Sequence, residues 1–218
     1  MGFPVKKVGI SKPRELCPAE NMRGLISRIF YVGTIPNTFE PDKEPSEQVV
    51  FFFELDCETS DNKRHVLSKA MTFSLHEKST LSKWFQPILG DKWPKAGEPL
   101  NILDLAGISC MVSVVHYAKR DGGTGAKISS IGKLARGLSE LESDSDVFIA
   151  SYDDPTWDSD TRIPQWVRDM AAGNIENQSK NAPKPVVSPS TKPATNKLGF
   201  GPFTDTSKIN DLTDEMPF

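Results

Sequence analysis

Nine consecutive residues, Gln48–Asp56 (QVVFFFELD), constrain the fold more than any other stretch of the chain. Their β-branched and aromatic side chains specify a strongly apolar strand. The stretch before it, Arg23–Thr34 (RGLISRIFYVGT), is bounded by Gly24 and Gly33 and reads as a long first strand. Between the two, residues 37–47 form a polar, acidic loop with Pro41 and Pro45. After the second strand, Asp61-Asn62-Lys63 turns the chain into Arg64–Phe73 (RHVLSKAMTF), a third strand in which polar and apolar positions alternate.

The pattern changes at Ser74. Ser79 can cap a short helix that places Leu81, Trp84, Phe85 and Leu89 at helical spacing before Gly90 ends it. Residues 102–107 form a short turn or helix, Ser109–Lys119 (SCMVSVVHYAK) is strand-like, residues 121–125 are a loop, and Ala126–Leu138 supplies the last strand. Three strands, a helix and two strands is the order of an OB-type barrel. The expected fold is therefore mainly β: a five-stranded Greek-key barrel with a helix between strands 3 and 4. Val147–Tyr152 is a short apolar patch. Ile163–Met170 reads as a C-terminal helix, with Pro164 at its first position and Gly173 past its end, docked on the barrel. From Asn174 to about Pro202 the chain is Asn, Ser, Thr, Pro, Lys and Ala with hardly an apolar anchor, too little to offset the entropy of ordering it. The expected organisation is a loosely ordered segment 1–20, a barrel domain 21–173, a flexible linker 174–210 and an acidic tip 211–218.

Charge divides along the same line. Residues 1–137 carry 19 Lys+Arg against 15 Asp+Glu, whereas residues 138–218 carry 7 against 14, which makes the front mildly basic and the back acidic. That split suits a nucleic-acid-binding domain with a tail that avoids nucleic acid, although ordinary surface variation produces similar splits. There is no run of about 18 apolar residues for a membrane span and no apolar stretch of a secretory signal near Met1, so a cytoplasmic protein without a membrane partner is expected. Cys17, Cys57 and Cys110 are odd in number, far apart and without a C-x-x-C pair, which argues for reduced thiols rather than a disulfide framework or a zinc ribbon.

The chain ends Asp211-Leu212-Thr213-Asp214-Glu215-Met216-Pro217-Phe218. Acids, an apolar residue and a terminal Pro-Phe after a long linker resemble the C-terminal tip of bacterial single-stranded DNA-binding proteins, which recruits replication and repair proteins. A partner with an apolar pocket beside an Arg or Lys can hold the Phe218 ring and its α-carboxylate together. Asp211, Asp214 and Glu215 steer the approach, and Met216 and Pro217 complete the motif. A merely solubilising tail is the plain alternative. Within the barrel region, Thr72-Phe73-Ser74-Leu75-His76-Glu77-Lys78-Ser79-Thr80-Leu81 resembles a segment of phage-encoded single-stranded DNA-binding proteins with an OB-like fold. The likeness extends over about residues 23–173. It implies a host-cytoplasm protein that coats single-stranded DNA in replication, recombination or repair, with self-association left open.

Single strands are held by aromatic faces on which bases stack and by cations that follow the phosphates. In the first strand Arg28 and Phe30 share one face and Tyr31 the other; in the second, Phe52 opposes Phe51 and Phe53. Packing is the commoner fate of a strand aromatic, but Tyr31, Phe52 and Tyr117 accompany polar neighbours and are the stacking candidates. Arg28, Arg64, Lys69, Lys119, Arg120, Lys127 and Lys133 lie on strands or strand ends where an OB groove opens. Residues 119–127 form a glycine-rich hairpin tip with positive flanks. Gly122-Gly123-x-Gly125 lacks the Gly-Lys-Ser/Thr ending of a P-loop.

Catalysis is not expected. Asp56 and Glu58 with His65 or His76 lack the third carboxylate or lysine of a metal-dependent nuclease, and neither the histidines nor Cys57 and Cys110 sit at finger-like separations. No nucleophile elbow supports a Ser-His-Asp site, and no cofactor is implied. The class that competes with a DNA binder is an OB-like protein-interaction or assembly module whose tail is a tether.

Overall fold

The computed structural model describes residues 15–37, 42–144 and 146–177. Strand β1 (Asn21–Ile35) is the spine of the sheet. It pairs antiparallel with β2 (Ser46–Glu58) along nearly its whole length, and β2 pairs with β3 (Arg64–Thr72). On its other edge the first part of β1, residues 21–25, pairs with β4 (Ser109–Ala118), which forms a hairpin with β5 (Thr124–Lys133). The strand path is β3-β2-β1-β4-β5. Its two ends, β3 and β5, lie beside one another, but no hydrogen-bonded ladder joins them among the described residues.

A sixth strand, β6 (Phe148–Ser151), comes from the stretch read as a short apolar patch. It lies parallel to β1 and pairs with Arg28–Tyr31, taking over the edge where β4 leaves. Local sequence does not announce it, because four residues become a strand here only through the vacant edge that β1 offers.

The apolar sequence of β1 and β2 follows from burial on both faces. One face carries Ile26, Ile29, Phe51, Phe53 and Leu55, packed with Val112 and Ile128 against α1 (Thr80–Leu89). Helix α1 begins where the Ser79 hydroxyl accepts the Ser82 N–H at 3.0 Å, and it buries Leu81, Trp84 and Phe85. The Phe85 ring lies 5.0 Å from that of Phe51. The other face carries Phe30, Val32, Val50 and Phe52, covered by Trp157, Ile163 and, from α2 (Gln165–Ala172), Val167 and Ala171. Each such side chain contributes on the order of 1.5–3 kcal/mol by leaving water. In α2, Pro164 occupies the N-cap rather than the first helical position.

Order extends past both ends of the expected domain. In the segment expected to be loose, Cys17 is only 1% exposed, the Ser60 N–H donates to the Glu15 carboxylate at 2.8 Å, and the Val114 N–H donates to the Glu20 carbonyl at 3.0 Å. At the other end, residues 174–177 are anchored rather than linker. The pairing of β1 with β2 slips between Tyr31 and Gly33, and Gly33 adopts φ 81°. The slip leaves backbone groups for the C-terminal segment to satisfy. The buried Asn174 amide donates to the Val32 carbonyl at 3.0 Å, and the Thr34 N–H donates to the Glu176 carboxylate at 3.1 Å. Residues 1–14, the rest of the expected linker and the tip 211–218 lie outside the described residues.

Candidate nucleic-acid interface

Two of the candidates meet on the outer face of β1 and β2. The Arg28 guanidinium lies 4.9 Å from the centroid of the Phe52 ring, within cation–π range. Arg28 Nε has no hydrogen-bond partner among the described residues. Burial pushes the pKa of this guanidinium down, an effect opposed by the nearby Glu54 carboxylate. An arginine so placed stays charged, so it keeps donor capacity in a partly dry setting.

Phe52 itself is not an open stacking face. It is 7% exposed, with the Phe30 edge at 5.3 Å and the Trp166 ring at 5.9 Å and 32°. The cause is α2, which lies over this part of the sheet. The exposed aromatic surface belongs instead to Trp166, which is 45% accessible. Across the ladder Phe52 pairs with Ser68 and Val50 with Ala70, both exposed and small, so the surface beside the ring pair is low. Sequence reasoning missed Trp166 because it lies within the helix read as docked. The available signal was its place at the margin of the buried stripe Ile163–Val167–Ala171.

A second group gathers at the β4–β5 hairpin. Tyr117 is 42% exposed, stands opposite Gly125, and rests on it so closely that a Cβ at Gly125 would come within 2.6 Å of the ring. Lys127 Nζ lies 5.5 Å from the Tyr117 centroid. The tip is closed by the Lys119 N–H donating to the Gly123 carbonyl at 2.8 Å, which leaves the Lys119 and Arg120 side chains exposed. Below them a cleft of about 190 Å³ runs between Tyr117 and Lys119 on one side and His65 and Leu67 of β3 on the other.

The remaining candidates are dispersed. Tyr31 packs on Phe73 and Tyr152 and lines an apolar groove of about 530 Å³ with Ile102, Leu103 and Ile149. Burial, helped by Glu47 and Glu176, pushes its hydroxyl up to about 12, an environment ill-suited to phosphate. The Arg64 guanidinium donates to the Glu142 carbonyl and pairs with Asp144 at 3.4 Å, so its charge is already engaged. Lys69 is half-buried at a groove that also holds Met71, His76 and Lys78. Lys133 is exposed opposite Cys110, at the far end of β5 from the hairpin tip.

The histidines have structural partners or burial. His116 Nε2 bonds the Cys17 carbonyl oxygen at 2.8 Å, His76 Nδ1 accepts the Lys78 N–H at 3.1 Å, and His65 is buried at the cleft. Among the described residues no group of three or more His, Cys, Asp or Glu is placed to hold a metal ion, and no helix is long and apolar enough to cross a membrane. No family model and no curated protein matches the chain.

Proposed function

We propose that the chain binds single-stranded DNA without catalysing a reaction on it, coating the strand in replication or recombination and recruiting partner proteins through residues 211–218. The observation that carries this reading is the row formed by Arg28, Phe52 and Trp166: a half-buried guanidinium, a buried ring that supports it, and an accessible indole tilted against that ring. A base laid on Trp166 gains on the order of 1–3 kcal/mol, and the positive charge of Arg28, held against the same Phe52 ring, attracts the phosphates. The hairpin with Tyr117, Lys119, Arg120 and Lys127 supplies a second aromatic and a positive arm. The strand path, with β3 and β5 side by side at its ends, supports an OB-type barrel, whose strand 2–3 face and strand 4–5 loop are the surfaces used for oligonucleotides.

The apolar groove at Tyr31, with exposed Leu103, favours a second reading in which this is a protein-interaction module. Titration of the full chain with oligo-dT, followed by tryptophan fluorescence, separates the two. Saturable quenching at about 20 mM salt that weakens steeply as salt is added is the expected result, since counterion release drives such binding. Absence of any saturable change at low salt overturns the DNA reading.

A further inference from the structure

The thiols of Cys17 and Cys57 lie 3.8 Å apart, although 40 positions separate them in the chain. Cys17 belongs to the segment before β1 and is buried; Cys57 stands near the end of β2 and is half-buried. Cys110 is fully buried in the core. We infer that Cys17 and Cys57 form a site of reversible oxidation to a disulfide, which fastens the N-terminal segment to the end of β2. A disulfide needs the sulfurs at about 2.0 Å, so they must approach by roughly 1.8 Å. Among the described residues, the segment that carries Cys17 is held by bonds from Glu15 to the Ser60 N–H, from the Cys17 carbonyl to His116 and from the Glu20 carbonyl to Val114.

The oxidant is a low-molecular-weight disulfide such as oxidised glutathione. Cys57, the more accessible thiol, loses its proton to solvent, and its thiolate attacks one sulfur of the small disulfide, breaking that bond and releasing one thiolate. Cys17, deprotonated in turn, attacks Cys57 Sγ and expels the second. Two protein thiols are oxidised, one small disulfide is reduced to two thiols, and the two protons end on the leaving groups. Burial pushes the Cys17 thiol up to about 12 and raises that of Cys57 as well, so the pair reacts slowly and responds to sustained rather than brief oxidation. Cys17 also lines the cleft under Tyr117 and Lys119, so the bond would make that wall rigid.

The test uses the full folded chain, incubated with oxidised glutathione at about pH 8, alkylated with iodoacetamide, and digested with trypsin without reduction. Residues 15–23 should be recovered linked to residues 44–63, and dithiothreitol should separate them. The oxidised protein should melt roughly 5–10 °C higher, as expected for closing a loop of this length. Cys57→Ser, at a half-buried position, should yield neither the linked peptide nor the shift. Alkylated or singly glutathionylated Cys17 and Cys57 in place of the linked peptide would overturn the inference, as would a pairing through Cys110. So would a thermal shift that persists in Cys57→Ser.

Discussion

The Trp166 indole lies 5.9 Å from the Phe52 ring at an interplanar angle of 32°, and Phe52 is buried while Trp166 is 45% exposed. One ring is scaffold and the other is surface. The two positions therefore answer differently to the same substitution.

Trp166→Ala should weaken oligo-dT binding roughly 5- to 150-fold, the equivalent of one stacked base, with the melting temperature nearly unchanged. The other three tryptophans are less exposed, Trp84 and Trp157 being buried, so most of the fluorescence quenching should disappear with Trp166. Full affinity in this variant would remove Trp166 from the interface.

Phe52→Ala should cost about 3–5 kcal/mol of stability, because it opens a cavity against Phe30 and removes the support of both Arg28 and Trp166. Urea unfolding measures this directly. A stable variant with lost DNA binding would instead return Phe52 to the role of stacking residue.

Replacing Lys119, Arg120 and Lys127 together by Ala should make the plot of log affinity against log salt shallower by about two units, if each meets one phosphate of a single strand. The exposed hairpin should keep its fold, which circular dichroism can verify. An unchanged slope would place the strand elsewhere.

Stability should fall on the alkaline side. Tyr31, Cys17 and Cys110 each have a folded-state pKa pushed up to about 12, chiefly by burial, from ordinary values of 10 for tyrosine and 9 for cysteine. The folded state thus prefers their neutral forms. Their contribution is complete below about pH 9 and is lost as pH rises toward 12. Melting temperatures from pH 7 to 11 should show the decline, and Cys110→Ala should flatten it relative to a more weakly stable but otherwise similar baseline.

Asn174→Ala should destabilise by about 1–3 kcal/mol, since it leaves the Val32 carbonyl at the β1 irregularity without its buried donor. A neutral result by thermal melting would mean that water replaces the amide.

The strands of the sheet were largely legible because their signal is local. The reading of 48–56 became β2 at 46–58, and the reading of 64–73 became β3 at 64–72. What local pattern could not reveal was the second layer. Phe51, Phe52 and Phe53 are all buried, so alternation offers no way to sort outer from inner faces until α2 and Trp157 are known to cover one of them. The same layer hid Trp166, converted residues 148–151 into a strand, and held Asn174 and Glu176. The exposure of Tyr117 and the hairpin cations was legible because a glycine-rich turn between two strands exposes its flanks. Arg64 could not be told from a free cation, since its partners Glu142 and Asp144 lie in a segment that only the tertiary fold brings near.

The parallel pairing of β1 with β6 has a consequence for how the molecule is made. Phe148 follows its partner Arg28 by 120 positions, so β1 emerges from the ribosome long before the strand that seals its edge. Until then the longest strand presents unpaired backbone groups to whatever chain is nearby. Nascent protein halted before residue 148 is thus the form most open to aggregation, and release from that hazard comes only once residues 148–151 have been made.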